Sequence, residues 1–289
     1  MKIAAVFYSS TKESFGYFCF NPQRALMQPR ILILLLVLLA CNAKTDVKKT
    51  TPINENGKET ALLQNVNKYP DSSILVEDLI QYYREAGNYD QAIATTQRYI
   101  STQPNNARWW DIQATLLYEN EDTLKAIESF EKALSIFPDP QYVISLGTLY
   151  ASTGNIKALE MADALIIATK ADAQKEAYFI KGLYYANTKA FAKAVNFFDK
   201  CLNLNYTFMS AYIEKALALD GLLKYEAAVQ VLEKAILVQN NFDEAYFYKG
   251  YLLEKLNRKP EAAEAYQSAL MYSPDYTEAK AALAKLTAQ

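Results

Sequence analysis

The chain has 289 residues, with 30 basic and 32 acidic side chains, three cysteines and no histidine. Without histidine it lacks the commonest general base, the commonest metal ligand and every serine–histidine or cysteine–histidine nucleophile pair, and its few cysteines cannot build a thiolate metal cluster. Because basic and acidic residues are nearly balanced and interspersed, there is no concentrated basic face for nucleic acid, and we expect no enzyme, no cofactor, no metal and no nucleic-acid partner.

The first recognisable feature along the chain is the uninterrupted apolar run of residues 31–40, which Cys41 follows. As a helix this run would rise only about 15 Å, too short for a hydrocarbon layer of roughly 30 Å but suited to the apolar core of a secretory signal. The segment Leu38-Leu39-Ala40-Cys41 resembles the bacterial lipobox, which implies a leader over residues 1–40 and lipidation of Cys41. The alternative is an ordinary cleaved signal with an incidental cysteine.

Two neighbouring segments frame this run. Residues 1–26 have no clear periodicity, and a lipoprotein signal normally begins just before its apolar run, so a translation start at Met27 is a further hypothesis. Residues 42–72 are polar and cannot bury enough apolar surface to fold alone. We therefore predict that residues 41–72 are the lipidated cysteine and a flexible tether. A short helix around Leu62, Leu63 and Val66 is the alternative for its end.

Residues 73–276 repeat with a fixed period of 34 residues. The six frames are 73–106, 107–140, 141–174, 175–208, 209–242 and 243–276. In the last frame, apolar residues recur at spacings of three and four in two stretches that Asn257 to Pro260 separate, which predicts two helices joined by a turn. A fixed period of this length is typical of a solenoid of helix pairs.

Small residues occupy the positions where the two helices of a frame would cross closely. The eighth position holds Ala114, Gly182, Ala216 and Gly250, the twentieth Ala92, Ala126, Ala194, Ala228 and Ala262, and the twenty-seventh Ala133, Cys201, Ala235 and Ala269. The twenty-fourth holds the large residues Phe130, Phe198, Leu232 and Tyr266. This pattern resembles the tetratricopeptide repeat family, which implies an all-α fold, a right-handed α–α superhelix (solenoid) of six helix pairs.

The two ends of this pattern need separate treatment. In the third frame Gly147 lies one place early and Glu160 takes the place of alanine, which predicts a register slip of about one residue that is absorbed in residues 168–174. After the last frame, residues 277–289 carry Ala279, Leu283 and Leu286 at helical spacing. We predict a C-terminal capping helix there, with a partner-binding tail as the alternative.

In the family that the chain resembles, the first helix of each unit lines a concave groove through about its second, fifth, ninth and twelfth positions. In the last three frames these are Glu176, Phe179, Leu183, Ala186, Ser210, Ile213, Leu217, Asp220, Glu244, Phe247, Tyr251 and Glu254. The resemblance implies an exposed apolar stripe with acidic edges, with Phe179, Ile213 and Phe247 as anchors for a partner. The alternative is that the stripe packs against the C-terminal part of the chain or against neighbouring helices.

The expected function is therefore that of a non-catalytic protein–protein interaction scaffold. We expect it to be lipid-anchored, to face the periplasm and to bind an apolar or amphipathic segment of a cell-envelope protein. Asn42 stands where some inner-membrane lipoproteins have aspartate, which favours the outer membrane. The alternatives are a structural or pilotin-like assembly component of a secretion, pilus or outer-membrane biogenesis machine and, less in keeping with the composition, an enzyme or small-ligand binder.

Overall fold

The computed structural model describes residues 55–169 and 173–287, which form fourteen α-helices and no strand. In chain order the helices are α1 Glu55–Lys68, α2 Ser73–Glu85, α3 Tyr89–Thr102, α4 Ala107–Glu119, α5 Thr123–Ile136, α6 Pro140–Ser152, α7 Lys157–Thr169, α8 Gln174–Asn187, α9 Phe191–Leu204, α10 Met209–Gly221, α11 Tyr225–Val238, α12 Asp243–Lys255, α13 Lys259–Tyr272 and α14 Thr277–Thr287. The predicted fold class, an all-α superhelix of helix pairs, is confirmed. The predicted leader, Cys41 and residues 42–54 lie outside the described residues.

The described chain divides near residue 100 into two compact units, residues 55–99 and 100–287. In the first unit, α1 occupies the end of the segment predicted as a tether. Its Val66 is buried, and Glu59 accepts a hydrogen bond of 3.0 Å from the Tyr83 hydroxyl of α2. For residues 55–68 the tether prediction is therefore wrong and its alternative, a helix around Leu62, Leu63 and Val66, is confirmed. The helix is longer than expected, because it packs against α2 and is hydrogen-bonded to it.

Every helix pair of the second unit is joined by the same turn. The residue that follows the first helix by two places has a positive φ, of 65° at Glu121, 69° at Gly154, 60° at Lys189, and 59° at both Leu223 and Asn257. The next amide then donates back into the last turn of the helix, as Lys224 does to the Leu219 carbonyl at 2.9 Å. This arrangement is a Schellman motif, which satisfies the last carbonyls of the first helix and reverses the chain.

The close helix crossings fall where the small residues predicted them. A β-carbon added at Gly182 would lie 2.5 Å from the Phe198 ring, and one added at Gly250 would lie 2.7 Å from the Tyr266 ring. Such distances are far inside van der Waals contact, so a side chain at either glycine would force the ring above it to shift.

The third repeat departs from the period by more than the predicted single residue. Gly147 of α6 precedes Gly182 by 35 residues, but the buried Ala158 of α7 precedes its counterpart Ala194 by 36. The slip is thus one residue in α6 and two in α7, because the stretch from Gly154 to Ala158 is one residue shorter than the equivalent stretch in the next repeat. The one-residue prediction is correct for α6 and too small for α7.

Ion pairs connect consecutive repeats at one recurring position. The seventh residue of a frame is lysine in the last three, and each lysine reaches a carboxylate on the second helix of the preceding repeat. The pairs are Lys181 with Asp163 at 2.6 Å, Lys215 with Asp199 at 2.5 Å and Lys249 with Glu233 at 2.8 Å. Partly exposed pairs are worth about 0–1 kcal/mol each, so they add little stability. Their main effect is on how consecutive repeats are positioned along one another.

Helix α14 covers the end of the second unit. Leu283 and Leu286 pack against the core formed by α10 to α13, and Ala279 is fully buried. Lys280 and Lys285 are exposed. One face of α14 is therefore apolar and packed while the other is polar, as a terminal helix of a repeat array requires.

Candidate functional site

The fifth position of the fourth repeat, predicted to supply an exposed anchor, lies in the core. The Phe179 ring on α8 packs against Phe198 of α9 and against Phe208, with centroid distances of 5.8 and 4.9 Å, and its side chain is only 2% exposed. The prediction of an exposed anchor is wrong for Phe179, because this ring fills the space between its own helix pair and the residue that ends the repeat.

The same arrangement recurs in the following repeats. Phe247 of α12 contacts Tyr266 at 5.7 Å and Tyr276 at 5.0 Å between ring centroids, although Phe247 itself keeps some exposure. In the intervening repeat the fully buried Ile213 belongs to one core cluster with Leu232 and Phe242. A large apolar residue at the twenty-fourth and thirty-fourth positions of the frame was the sequence signal for this packing.

Three further predicted groove residues are buried: Leu183, Ser210 and Glu244. Consecutive first helices of the array contact one another, α8 with α10 and α10 with α12, which leaves less of each helix open than the resemblance implies. For these residues, as for Ile213, the alternative that the stripe packs within the protein describes the structure better.

The predicted groove residues that keep partial exposure are Glu176, Leu217, Asp220, Phe247, Tyr251 and Glu254, together with Ala186. Two of them meet at the junction of α10 and α12. The Tyr251 hydroxyl donates to Asp220 Oδ2 at 3.3 Å, and Lys255 Nζ lies 2.6 Å from Asp220 Oδ1. Asp220 thus connects the first helices of the last two repeats.

Lys255 and Tyr225 complete this junction and were not identified from the sequence. The Lys255 ammonium lies 4.6 Å from the ring centroid of Tyr251 and 5.4 Å from that of Tyr225. Partial burial pulls the pKa of Lys255 down, but its bonds to Asp220 and Tyr251 outweigh this and hold the pKa above its ordinary value. We call Leu217, Asp220, Tyr251 and Lys255 the groove cluster, an apolar and aromatic surface with one fixed charge pair.

Two predicted acidic edges of the groove have partners inside the protein. Glu254 accepts a hydrogen bond of 2.5 Å from the Tyr266 hydroxyl, and burial together with the Glu254 charge raises the pKa of Tyr266. Glu176 pairs with the adjacent Lys175 at 2.8 Å. Glu254 therefore orients the core ring that covers Gly250 and is not a free carboxylate for a ligand.

Glu214 of α10 is a buried acidic residue that the sequence did not single out. Its side chain is 7% exposed, and burial raises its pKa to about 7. Its charge, added to burial, also raises the pKa of Tyr118 on α4.

Cys201 has no chemical role that its surroundings would support. The thiol is fully buried at a small-residue position of α9, and burial raises its pKa to about 12. A thiol with such a pKa stays protonated at neutral pH and is a poor nucleophile. In the described ranges no group of three or more acidic or cysteine side chains could hold a metal ion. None of the described helices is both long enough and apolar enough to cross a membrane.

Comparisons with known proteins agree with this architecture. Two models described as tetratricopeptide repeat match the chain, one over residues 77–143 and 213–279 and the other over residues 175–208. Together they cover more than half of the chain and leave residues 144–174 unmatched, where the register departs from the period. The comparison with curated proteins finds no match.

Several solved structures are similar to this chain. A tetratricopeptide repeat protein from Parabacteroides merdae ATCC 43184 is 18% identical, with a TM-score of 0.68 over 82% of this chain and 93% of that one. PilW, described as a widely conserved type IV pilus biogenesis factor, is 20% identical, with a TM-score of 0.58 over 73% and 98%. A thermophilic tetratricopeptide repeat protein from Thermus thermophilus is 18% identical, with a TM-score of 0.55 over 63% and 100%. At these identities the likeness shows the fold alone.

Proposed function

Because this chain belongs to the tetratricopeptide repeat family, we propose that it is a non-catalytic scaffold that binds an apolar or amphipathic segment of a cell-envelope protein. The observation that carries the proposal is the groove cluster, where the partly exposed Tyr251 ring lies against the Asp220–Lys255 ion pair. The partly exposed Leu217 lies three residues before Asp220, on the same face of α10. Aromatic side chains are favoured anchors in interfaces, and a neighbouring fixed charge pair orients a partner.

Phe179 and Ile213 are not part of the proposed contact, because both side chains are buried in the core. It places the contact on Leu217 and Tyr251, one from each of the last two repeats, with Phe247 at the margin. An amphipathic helix would lay one apolar face along these side chains, in the manner of other helix-in-groove complexes.

The proposal includes a lipid anchor at Cys41 and a location at the outer membrane, facing the periplasm. Its support is the apolar run of residues 31–40, the lipobox-like Leu38-Leu39-Ala40-Cys41 and the Asn42 that follows. Labelling cells with a radioactive fatty acid tests this part. We expect label in the native chain and none in Cys41→Ser, whereas label in both would contradict lipidation at this residue.

Capture from an envelope extract of the bacterium that encodes the chain tests the groove. We expect the native protein to retain a partner that the double variant Leu217→Ser, Tyr251→Ser loses. The matched control is Leu237→Ser, Met271→Ser, which removes two apolar side chains that are 86% and 67% exposed on second helices. Equal capture by all three proteins, with equal helical content by circular dichroism, would show that the groove cluster is not the binding site.

A pilotin-like assembly role is the second candidate. Its support is the similarity to PilW, which is described as a type IV pilus biogenesis factor. Deleting the gene should then abolish surface pili, and the wild-type gene should restore them. Normal piliation of the deletion strain would leave the general scaffold as the better account.

A further inference from the structure

A second surface of the protein, on α8 and α9, combines aromatic rings with lysines and uses none of the groove residues. The Phe197 ring of α9 stacks on Tyr185 of α8, with centroids 5.4 Å apart and planes 10° from parallel, and Tyr178 lies 6.2 Å from Phe197 on the other side. All three rings keep partial exposure. We call these rings, with Lys193 and Lys200, the lysine–aromatic face.

Its two exposed lysines are held over the rings. Lys193 Nζ lies 5.1 Å from the Tyr185 centroid, and Lys200 Nζ lies 4.9 Å from the Phe197 centroid. Among the described residues no carboxylate lies within ion-pair distance of either ammonium, in contrast to Lys181, which Asp163 neutralises at 2.6 Å. The face therefore presents two oriented positive charges whose Coulomb interactions are not satisfied within the described chain.

The charge of this repeat sets it apart from the rest of the array. Residues 175–208 contain five lysines and two acidic residues, whereas each of the other five frames has more acidic than basic residues. In the next repeat the places of Tyr185, Lys193 and Phe197 are taken by Leu219, Ala227 and Val231, of which Leu219 and Val231 are buried. The combination is thus particular to one repeat and is not a general feature of the fold.

The spacing of the two lysines indicates the geometry of a ligand. Seven residues along α9 place them about 10 Å apart. In a polyproline II segment, every third residue lies on the same edge at intervals of about 9 Å. Aromatic surfaces also bind prolines of such segments, whose conformation is already fixed before binding.

From this charge complementarity and spacing we propose that the lysine–aromatic face binds an extended, acidic polypeptide segment. Two carboxylates three residues apart pair with Lys193 and Lys200, and the residues between them lie on the Tyr185 and Phe197 rings. The proposal is independent of the groove, because the lysine–aromatic face and the groove cluster share no residue.

Fluorescence anisotropy of the full-length protein with a labelled peptide of three Glu-Pro-Pro repeats tests the proposal. We expect binding that weakens as salt rises and that drops by about tenfold, or about 1.4 kcal/mol, in the variant Lys193→Gln, Lys200→Gln. The matched control Lys224→Gln, Lys234→Gln removes two exposed lysines from the next repeat and should bind within twofold of native protein.

Three results would overturn the proposal. One is equal binding of the peptide by both double variants, and another is equal binding of a Gln-Pro-Pro peptide, which lacks the carboxylates. The third combines two findings: native protein binds no peptide, and it binds phosphatidylglycerol vesicles that the Lys193→Gln, Lys200→Gln variant does not bind. The lysine–aromatic face would then bind a lipid surface.

Discussion

At single positions, two close helix crossings of the described residues place a glycine under an aromatic ring. Gly250 and Tyr266 form such a pair, and Gly182 and Phe198 form another. In the intervening repeat the corresponding pair is Ala216 and Leu232, both buried in the same cluster. The size of one partner is therefore matched to the size of the other.

This matching predicts the effect of Gly250→Ala. The added methyl group would lie 2.7 Å from the Tyr266 ring, and we expect a loss of about 1–3 kcal/mol of unfolding free energy. Combining it with Tyr266→Leu reproduces the Ala–Leu pair of the preceding repeat. In a double-mutant cycle by urea denaturation we expect a favourable coupling of about 1 kcal/mol. Strictly additive losses would contradict the size-matching argument.

A backbone position gives the second prediction. Leu223 is 72% exposed and has a φ of 59°, a conformation that disfavours a side chain with a β-carbon. We expect Leu223→Gly to raise the unfolding free energy by about 0.5 kcal/mol, because relief of strain exceeds the entropy that glycine adds to the unfolded chain. As the control, Gln230→Gly in the middle of α11 should lower it by about 1 kcal/mol. A lower unfolding free energy in both variants would contradict the proposed backbone strain at Leu223.

The core role of Phe179 gives the third prediction. Since its ring packs between Phe198 and Phe208, Phe179→Ala should lower the unfolding free energy by about 3–5 kcal/mol. Leu237→Ala, at a side chain that is 86% exposed, should change it by less than about 0.5 kcal/mol. Similarly small shifts of the urea midpoint for both variants would show that the Phe179 side chain is not part of the core.

At the level of helices, much of the architecture could be predicted because it follows from local pattern. Apolar spacing of three and four gives the helices, and small residues at the crossings give the pairs. The slip in α7 was underestimated because the sequence alone does not show whether the turn before Ala158 is shortened or the whole repeat is shifted. The Lys181–Asp163 pair distinguishes the two, since it places α7 against α8. Helix α1 was predicted only as the alternative to a tether, as a short helix around Leu62, Leu63 and Val66, because its stability comes from contacts with α2 and not from its own weakly apolar sequence.

The terminal helix yields a fourth prediction. Leu283→Asp would place a charge against the core of the last repeats and should cost about 1–3 kcal/mol of unfolding free energy. Ala284→Asp, one residue further and exposed, should cost less than about 0.5 kcal/mol. If α14 were only a partner-binding tail, the melting temperatures of both variants in thermal denaturation would lie within about a degree of that of the native protein.

At the level of the whole chain, the candidate site could be predicted only in part. The resemblance named the concave positions, and two of them, Asp220 and Tyr251, do meet in the groove cluster. It could not say that Phe179 and Ile213 are covered, since burial depends on which residues end each repeat and how closely the first helices approach. Lys255 and Tyr225 were missed because their positions differ from the pattern that the resemblance supplied.

The central claim is that a protein partner lies against the groove cluster, and site-specific photocrosslinking in living cells tests it most directly. A benzophenone amino acid would replace Leu217 or Tyr251 in the groove and, as the control, Leu237 on the opposite helix of the repeat. The account predicts one crosslinked product of the same mass from both groove positions and none from Leu237. Crosslinked products from Leu237 alone would contradict the central claim. So would the absence of products from all three positions, provided that the protein retains its helical content.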